Sequence, residues 1–463
     1  MDAKIISKCL LCSCSHRAYV YSKFNSRVVR CTNCGSLEDI DFISKYKNNF
    51  HYSEKTISRI KGIFCQSNEL MTLVTTKGGC KSLQLLLQEI CGSYQLEVID
   101  FEALESSSIG KGNIIVDDHL MDQINPLETM RLLRLKMSES QVIIFLLELV
   151  GRSRKWLNES LVIRESDARF WPDWNTFHKL LLAANFSQIW LSNPESDQNG
   201  SQLAVISAHT GIVREKPLVS VIMPVFNEFT TFNELISQVL QKEISGIDFE
   251  IIIVESNSLD GTKELVSKFS DHERVKIIWQ EKPSGKGNAV RVGLKVAQGD
   301  IILIQDADLE YDVNDYDVLI EELTSWRSSF VLGSRHTGNW KMRKFNDMPV
   351  IAIFFNLGHI FFTWLINFLI GSKLKDPFTM YKVFYRDCIY GLFFRYDRFD
   401  FDHELVIKLY RKGFHPTEIP VNYNARSFSE GKKVSFFRDG ISWIQKDIRL
   451  SIEKLENDRV GRF

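Results

Sequence analysis

Four short apolar segments in the second half of this chain, each followed by polar residues, constrain its fold more than any other feature. They lie at Leu218–Met223, Phe249–Val254, Val275–Trp279 and Asp300–Gln305. Segments of this length that are rich in Ile and Val are typical of strands buried on both faces of a parallel sheet. The polar residues that follow them would collect at the carboxyl edge of that sheet, where open α/β sheets bind ligands. The pattern therefore predicts an α/β fold with a nucleotide site at this edge.

The fourth segment ends in two aspartates that suit a metal site. Asp306 and Asp308 are two residues apart, so on an extended strand their side chains would share one face. Hard cations such as Mg²⁺ or Mn²⁺ prefer carboxylate oxygens together with substrate phosphates. A metal held there can neutralise the charge that grows on a departing diphosphate. A solvated surface loop is the alternative interpretation of this short motif.

The motifs of this segment resemble those of GT-A-fold (Rossmann-like) family-2 glycosyltransferases. The likeness is greatest to polyprenyl-phosphate glycosyltransferases of the dolichol-phosphate mannose synthase type. It covers about residues 217 to 450 of an expected domain at 217–463. It implies inverting, metal-dependent transfer of a sugar from a nucleotide sugar to a polyprenyl phosphate. Two departures bear on the base and on the sugar: Glu255-Ser256 replaces the usual Asp-Asp, and Phe378–Tyr381 replaces Thr-Ser-Gly-Phe.

The resemblance also implies roles for individual residues. At the nucleotide sugar it implies Pro224, Glu228, Glu255, Lys286 and Asp306. In catalysis it implies Asp306, Asp308, Asp376, Asp402 and Glu404, and at the acceptor Arg335, Arg426 and Lys432. Each of these residues also has a structural interpretation, such as a surface arginine or a helix N-terminal acid.

The nature of the acceptor decides whether a base is needed. A hydroxyl, for example on a surface glycan, must lose its proton during attack, and Asp402 lies in the right region to take it. An ionised phosphate needs only cationic positioning. Asp402 and Glu404 have a structural alternative, which is to hold Arg335 or Arg426 in a salt bridge. A scaffold that binds a nucleotide sugar without turnover is the non-enzymatic alternative.

The first fifty residues predict a zinc ribbon. Cys9 and Cys12 form one CxxC knuckle, and Cys31 and Cys34 form a second after eighteen intervening residues. Four thiolates at this spacing can surround one tetrahedral Zn²⁺ in a closed, structural site. Unrelated buried thiols are the alternative.

Residues 51–212 alternate apolar strands with helical patterns and predict a second doubly wound sheet. A zinc ribbon followed by such a sheet resembles class I S-adenosylmethionine-dependent methyltransferases. The first turn, Thr75–Cys80, departs from the glycine-rich turn of that family, since it carries Lys77 and only two adjacent glycines. A degenerate domain is therefore expected, with a bifunctional methyltransferase as the rival.

Charge and hydropathy bear on partners and location. With 57 Lys and Arg against 58 Asp and Glu, the net charge is 57 − 58 = −1, which argues against a general nucleic-acid binder. The first residues contain no apolar stretch suited to a secretory signal, so a cytoplasmic setting is expected. Residues 349–370 contain no charged side chain, and basic and aromatic residues precede them. This pattern favours an interfacial helix at the inner face of a membrane. A membrane span and a core helix are the alternatives.

Overall fold

The computed structural model describes residues 17–23, 26–31, 37–39, 71–75, 96–100, 103–109, 113–116, 120, 126–138, 141–148, 170–171, 174–191, 195–196, 202–335, 349–424, 436–453 and 455. The chain separates into two compact units, Met1–Val213 and Arg214–Phe463. The strands of each sheet come from one unit only.

The described residues of the first unit form two sheets. The smaller is antiparallel, in the order β1-β2-β3-β8, from Arg17–Lys23, Ser26–Cys31, Leu37–Asp39 and Phe170–Trp171. The larger has the order β10-β11-β7-β6-β4-β5, with β9 paired to β11. Its strands are β4 (Met71–Thr75), β5 (Leu96–Asp100), β6 (Ile114–Val116), β7 (Val142–Glu148), β9 (Phe186–Leu191), β10 (Glu195–Ser196) and β11 (Gln202–Thr210).

The pairing directions in the larger sheet change once across it. Strands β5, β4, β6 and β7 are parallel neighbours, whereas β11 runs antiparallel to β7, β9 and β10. Helices α1 (Pro126–Lys136) and α2 (Trp174–Ala183) complete the described part of this unit. The strands expected between Leu70 and Ile206 are present with shifts of a few residues at their ends. The turn at 76–80, on which the methyltransferase comparison depends, lies outside the described residues.

The second unit is built on a mixed seven-stranded sheet in the order β14-β13-β12-β15-β17-β16-β18. Its strands are β12 (Leu218–Val225), β13 (Asp248–Glu255), β14 (Val275–Trp279), β15 (Ile301–Ile304), β16 (Phe330–Ser334), β17 (Lys382–Tyr385) and β18 (Thr417–Pro420). The first four strands pair in parallel. Strand β17 is antiparallel to both of its neighbours.

Burial explains why the central segments are strands. Val221, Ile222, Ile252 and Leu303 have no exposed surface, so both faces of these strands lie in the core. The parallel registry of β12 with β13 and β15 brings their carboxyl ends to one edge. The polar residues that follow each strand therefore meet there, as the sequence pattern predicts.

Seven helices are described in the second unit. They are α3 (Phe232–Gln241), α4 (Thr262–Ser267), α5 (Lys286–Val296), α6 (Tyr316–Thr324), α7 (Pro349–Ile370), α8 (Asp400–Arg411) and α9 (Phe436–Ile452). Helices α7, α8 and α9 contact one another, and Ile366, Ile407 and Leu450 form the buried core between them. The uncharged segment 349–370 is thus a single helix. No helix among the described residues combines the length and the apolar character needed to cross a bilayer.

Candidate active site

A cavity of about 440 Å³ lies where the parallel strands of the second unit end. One side of it is polar and comes from the loops after β12, β13 and β15: Pro224, Glu228, Ser256, Asp306, Asp308 and Glu310. The other side is mainly aromatic and comes from α7, α8, α9 and the segment before β17: Phe362, Phe378, Phe399, His403 and Trp443. The cavity therefore offers a charged end and an aromatic end to different parts of a ligand.

The turn at Gly285-Lys286-Gly287 brings a lysine to the charged end. Gly285 has φ +101°, and a Cβ at this position would lie 2.3 Å from the carbonyl oxygen of Asp397. A Cβ on Gly287 would lie 2.4 Å from Cβ of Phe401. Only glycine permits this close packing. It holds the start of α5 so that Lys286 Nζ lies 2.5 Å from Asp306 Oδ1.

Lys286 is embedded among carboxylates. Burial favours its neutral amine, but Asp306, Asp402 and Asp308 outweigh that effect and raise the pKa of Lys286. The side chain is therefore an ammonium at neutral pH. A fixed ammonium beside two cavity aspartates is suited to hold a diphosphate.

The polar loop after β15 supplies three carboxylates to the cavity. Asp308 Oδ1 accepts a hydrogen bond from the backbone N–H of Glu310 at 3.2 Å, and Glu310 accepts one from the Tyr423 hydroxyl at 3.0 Å. Within the described residues, no cluster of three or more His, Cys, Asp or Glu side chains is placed to hold a metal by itself. Two aspartates completed by phosphate oxygens and water remain a fitting donor set for Mg²⁺, which rarely uses an all-protein cage.

Arg335 and Asp376 form a buried ion pair beside the cavity. The Arg335 side chain donates from Nε to Asp376 Oδ2 at 2.8 Å and from Nη2 to Oδ1 at 2.6 Å. The Arg335 backbone N–H donates to the same carboxylate at 2.9 Å. Burial opposes the charge on Arg335, but Asp376 raises its pKa well above the usual value. Arg335 lines the cavity, whereas Asp376 lies behind it with no exposed surface.

Asp402 and Glu404 lie on different sides of α8. Asp402 lines the cavity, and its Oδ1 accepts from Nζ of the fully buried Lys382 at 3.1 Å. Burial lowers the pKa of Lys382, and the Asp402 carboxylate opposes that shift. Glu404 is also fully buried, but it accepts from the backbone N–H groups of Arg395 and Tyr396 and from Lys408. Glu404 does not line the cavity, and neither carboxylate pairs with Arg335.

The nucleotide-side predictions also divide into two groups. Pro224 and Glu228 line the cavity. Glu255 does not, because its carboxylate accepts the backbone N–H groups of Asn257 at 2.9 Å and Ser258 at 2.7 Å. Its neighbour Ser256 lines the cavity instead and donates to Gln280 at 2.8 Å. The strand-end position is thus at the site, but Glu255 itself shapes the loop.

Several predicted residues lie outside the described part of the chain. These are Arg426 and Lys432 at the acceptor and Cys9, Cys12 and Cys34 of the expected zinc ribbon. For Cys31 only the backbone is described, at the end of β2. Their roles stay predictions.

Many of the residues that line the cavity were not among the predicted site residues, and three of these matter most for its chemistry. Glu310 follows Asp308 by two residues, so the same spacing argument that links Asp306 to Asp308 could have found it. His403 and Trp443 had no such signal. Trp443 is on α9 and reaches the cavity only because α9 packs on α7 and α8.

Comparisons with known proteins find similarity over part of this chain. Residues 220–396 match the model for Glycosyl transferase family 2. A dolichol-phosphate mannosyltransferase of Pyrococcus furiosus is 29% identical over 248 residues, which are 53% of this chain and 67% of that protein. The dolichyl-phosphate beta-glucosyltransferase ALG5C of Trichomonas vaginalis is 27% identical over 238 residues, which cover 48% of this chain and 69% of that protein. Among solved structures, glucosyl-3-phosphoglycerate synthase of Mycobacterium tuberculosis is 17% identical, with a TM-score of 0.36, over 51% of this chain and 79% of its own.

Proposed function

We propose that this protein, a glycosyltransferase by its family-2 domain and its relatives, transfers a sugar from a nucleotide sugar to a polyprenyl phosphate with the help of Mg²⁺ or Mn²⁺. The observation that carries the proposal is the two-ended cavity. Lys286, Asp306 and Asp308 lie at its charged end, and aromatic side chains of α7, α8 and α9 form the other. A charged diphosphate suits the first end, and an acceptor attached to an apolar chain suits the second.

The donor would lie over the ends of β12, β13 and β15. Pro224, Glu228 and Ser256 would contact the nucleoside, and the diphosphate would extend towards Lys286. Asp306 and Asp308 would hold the divalent metal. When bound, that metal supplies positive charge to the departing diphosphate. Lys286 adds a second, permanent positive charge beside the same group.

The acceptor would enter from the aromatic end. Both relatives described above are named for a dolichol phosphate acceptor, which supports a polyprenyl phosphate here. Arg335 lines the cavity, and its buried pairing with Asp376 fixes the guanidinium in place. A rigid guanidinium is suited to an anionic acceptor.

An apolar surface on α7 supports a membrane as the place of this reaction. The exposed aliphatic and aromatic residues of α7 follow a helical spacing of three and four, and they are Leu357, Ile360, Phe361, Trp364 and Phe368. They lie between 40% and 72% exposed. The opposite side of the same helix contributes Gly358, His359 and Phe362 to the cavity. A helix with one side on the cavity and the other on a lipid surface would bring a membrane-bound acceptor to the site.

The test is transfer of radiolabelled sugar to farnesyl phosphate in the presence of Mn²⁺. UDP-glucose and GDP-mannose are offered in parallel as donors. The expected result is a lipid-extractable product from one donor, which EDTA abolishes. Asp306→Asn should remove it, whereas Asp317→Asn should retain it, because Asp317 is 52% exposed and remote from the cavity lining. Turnover of a donor that farnesyl phosphate does not stimulate would favour a hydroxyl acceptor instead.

For the unit Met1–Val213 the two predictions from the sequence remain open to direct measurement. A structural zinc site at Cys9, Cys12, Cys31 and Cys34 predicts one equivalent of zinc in the purified full-length chain. A bifunctional enzyme predicts binding of S-adenosylmethionine by calorimetry, whereas a degenerate domain predicts none.

A further inference from the structure

A histidine–aspartate pair lies at the aromatic end of the cavity. His403 lines the cavity, and its Nδ1 is 2.9 Å and 3.1 Å from the two carboxylate oxygens of Asp447. Asp447 has no exposed surface, and His403 is 3% exposed. A buried carboxylate that holds one nitrogen of a cavity histidine is an arrangement found in general-base catalysis.

The packing of two helices explains why this pair forms. Phe399, which directly precedes α8, and Asp402 and His403 on it follow the spacing i, i+3, i+4, and all three line the cavity. On α9, Trp443 and Asp447 are four residues apart and both contact His403. The pair therefore depends on the contact between α8 and α9 and not on any local sequence motif.

Aromatic rings restrict the orientation of the imidazole. The centroid of the Phe378 ring is 4.6 Å from that of His403, Trp443 is at 5.2 Å and Phe362 at 6.0 Å. With three rings and one carboxylate around it, the imidazole is held in one orientation. A base must be positioned in this way before the acceptor arrives.

The hydrogen bond to Asp447 also fixes where the basic lone pair is. A carboxylate can only accept a hydrogen bond, so Nδ1 carries the hydrogen and Nε2 of the neutral ring keeps the lone pair. Asp402 is differently placed, because its Oδ1 already accepts from the buried Lys382. Asp402 therefore has a fixed cationic partner, whereas the contact of His403 with Asp447 engages only Nδ1 of the ring.

We propose that His403, oriented by Asp447, is the general base that takes the proton from the acceptor phosphate. This inference rests on the proposed function. The second pKa of a phosphate monoester is about 6, so a fraction is still the monoanion near neutral pH. The monoanion is also the form that a cavity lined by carboxylates accommodates more readily.

The proposed step moves one proton to His403 and transfers the sugar to the acceptor phosphate. The P–OH proton passes to Nε2 of His403 while the phosphate oxygen forms a bond to the anomeric carbon. The bond from that carbon to the diphosphate breaks, and its electron pair leaves with the nucleoside diphosphate. The products are the glycosyl polyprenyl phosphate, the nucleoside diphosphate and a protonated His403.

The experiment measures sugar transfer to farnesyl phosphate by His403→Ala, with and without added imidazole. At pH 5, where only about a tenth of the acceptor phosphate is already ionised, loss of the general base is expected to lower kcat by about tenfold, and at pH 8 the loss should be small. Added imidazole should restore part of that loss, since it can occupy the space left by the side chain. Asp447→Asn should lower kcat less than His403→Ala does. The matched control is His272→Gln, which lies outside the cavity lining and should retain the wild-type rate.

The results distinguish a failure of the proposed general base from a failure of the proposed acceptor. Binding of the donor nucleotide with Mn²⁺, unchanged in His403→Ala, shows that the variant is folded. A loss of kcat without rescue by imidazole, or no loss at all, overturns the proposal while the proposed function stands. If the wild type transfers nothing to farnesyl phosphate, the proposed acceptor is wrong. Donor hydrolysis then decides the role of His403 with water as the nucleophile: a rate lowered in His403→Ala and restored by imidazole supports a base, and an unchanged rate excludes it.

Discussion

The pair of Arg335 and Asp376 permits a quantitative test of the site's architecture. The sequence resemblance implies a catalytic role for Asp376, whereas in the structure its carboxylate accepts three hydrogen bonds from Arg335 at 2.6 to 2.9 Å. The two side chains are 0% and 6% exposed. Asp376→Asn keeps the shape of the side chain but removes the charge that balances the guanidinium.

The expected destabilisation follows from the burial of the pair. Removal of one partner from a buried ion pair costs about 3–5 kcal/mol, because the remaining charge stays buried without compensation. For a unit of this length each kcal/mol lowers the melting temperature by about 2–4 °C. We therefore expect Asp376→Asn to lower the melting temperature of the second unit by about 6–20 °C. Replacement of both residues, Arg335→Met with Asp376→Leu, should recover part of this loss.

Thermal unfolding followed by circular dichroism measures the melting temperature, and urea unfolding measures the free energy of unfolding. The control is Asp317→Asn, which breaks an ion pair with Lys242 in which the carboxylate is 52% exposed, and it should cost less than about 1 kcal/mol. If Asp376→Asn unfolds at the same urea concentration as this control while activity is lost, the charge of Asp376 acts on the substrate. The structural role argued here would then be wrong.

Three further predictions concern other parts of the second unit. Burial lowers the pKa of Lys412 from 10.5 to about 8. Between pH 8 and pH 10.5 this lysine is therefore mostly protonated in the unfolded chain and mostly neutral in the folded one. The unfolding free energy of the wild type should rise relative to Lys412→Met as the pH increases from 8 to 10.5, and a flat difference in urea titrations would contradict this. Gly287→Ala should lower the free energy of unfolding by about 1–3 kcal/mol and weaken nucleotide binding, because the new methyl group overlaps α8. An unchanged nucleotide affinity in calorimetry would contradict this prediction. Trp364→Ser with Phe368→Ser should weaken sedimentation with phosphatidylglycerol vesicles at least tenfold without loss of stability, whereas Phe393→Ser, equally apolar and exposed elsewhere, should not.

The central strands of the sheet could be predicted from the sequence because a strand buried on both faces consists mainly of apolar residues. Segments such as Phe249–Val254 are apolar at every position but one, Glu250, and the structure extends this one only to Asp248–Glu255. The antiparallel strand β17 was not predicted. It contains Lys382, whose buried ammonium donates to the backbone carbonyl of Thr379 and to Asp402, twenty residues away.

The assignment of individual carboxylates was harder for the same reason. Asp306 and Asp308 are recognisable because they directly follow a buried strand. Glu255 and Glu404 look equally available in the sequence, yet backbone N–H groups occupy both of them. Asp447 interacts with His403 across 44 residues, and no spacing rule links two positions on separate helices.

The contact between the Gly285-Lys286-Gly287 turn and the start of α8 would couple the affinities of the two substrates. The turn packs against Arg398 and against Phe401 of α8, and the two residues that follow Phe401, Asp402 and His403, line the cavity. A displacement of α8 by an arriving acceptor must therefore be transmitted to the lysine that faces the donor. Occupancy of one substrate would alter affinity for the other, and thermodynamic reciprocity requires the two effects to be equal. Donor and acceptor would then bind with cooperativity, although they need not touch the same side chain.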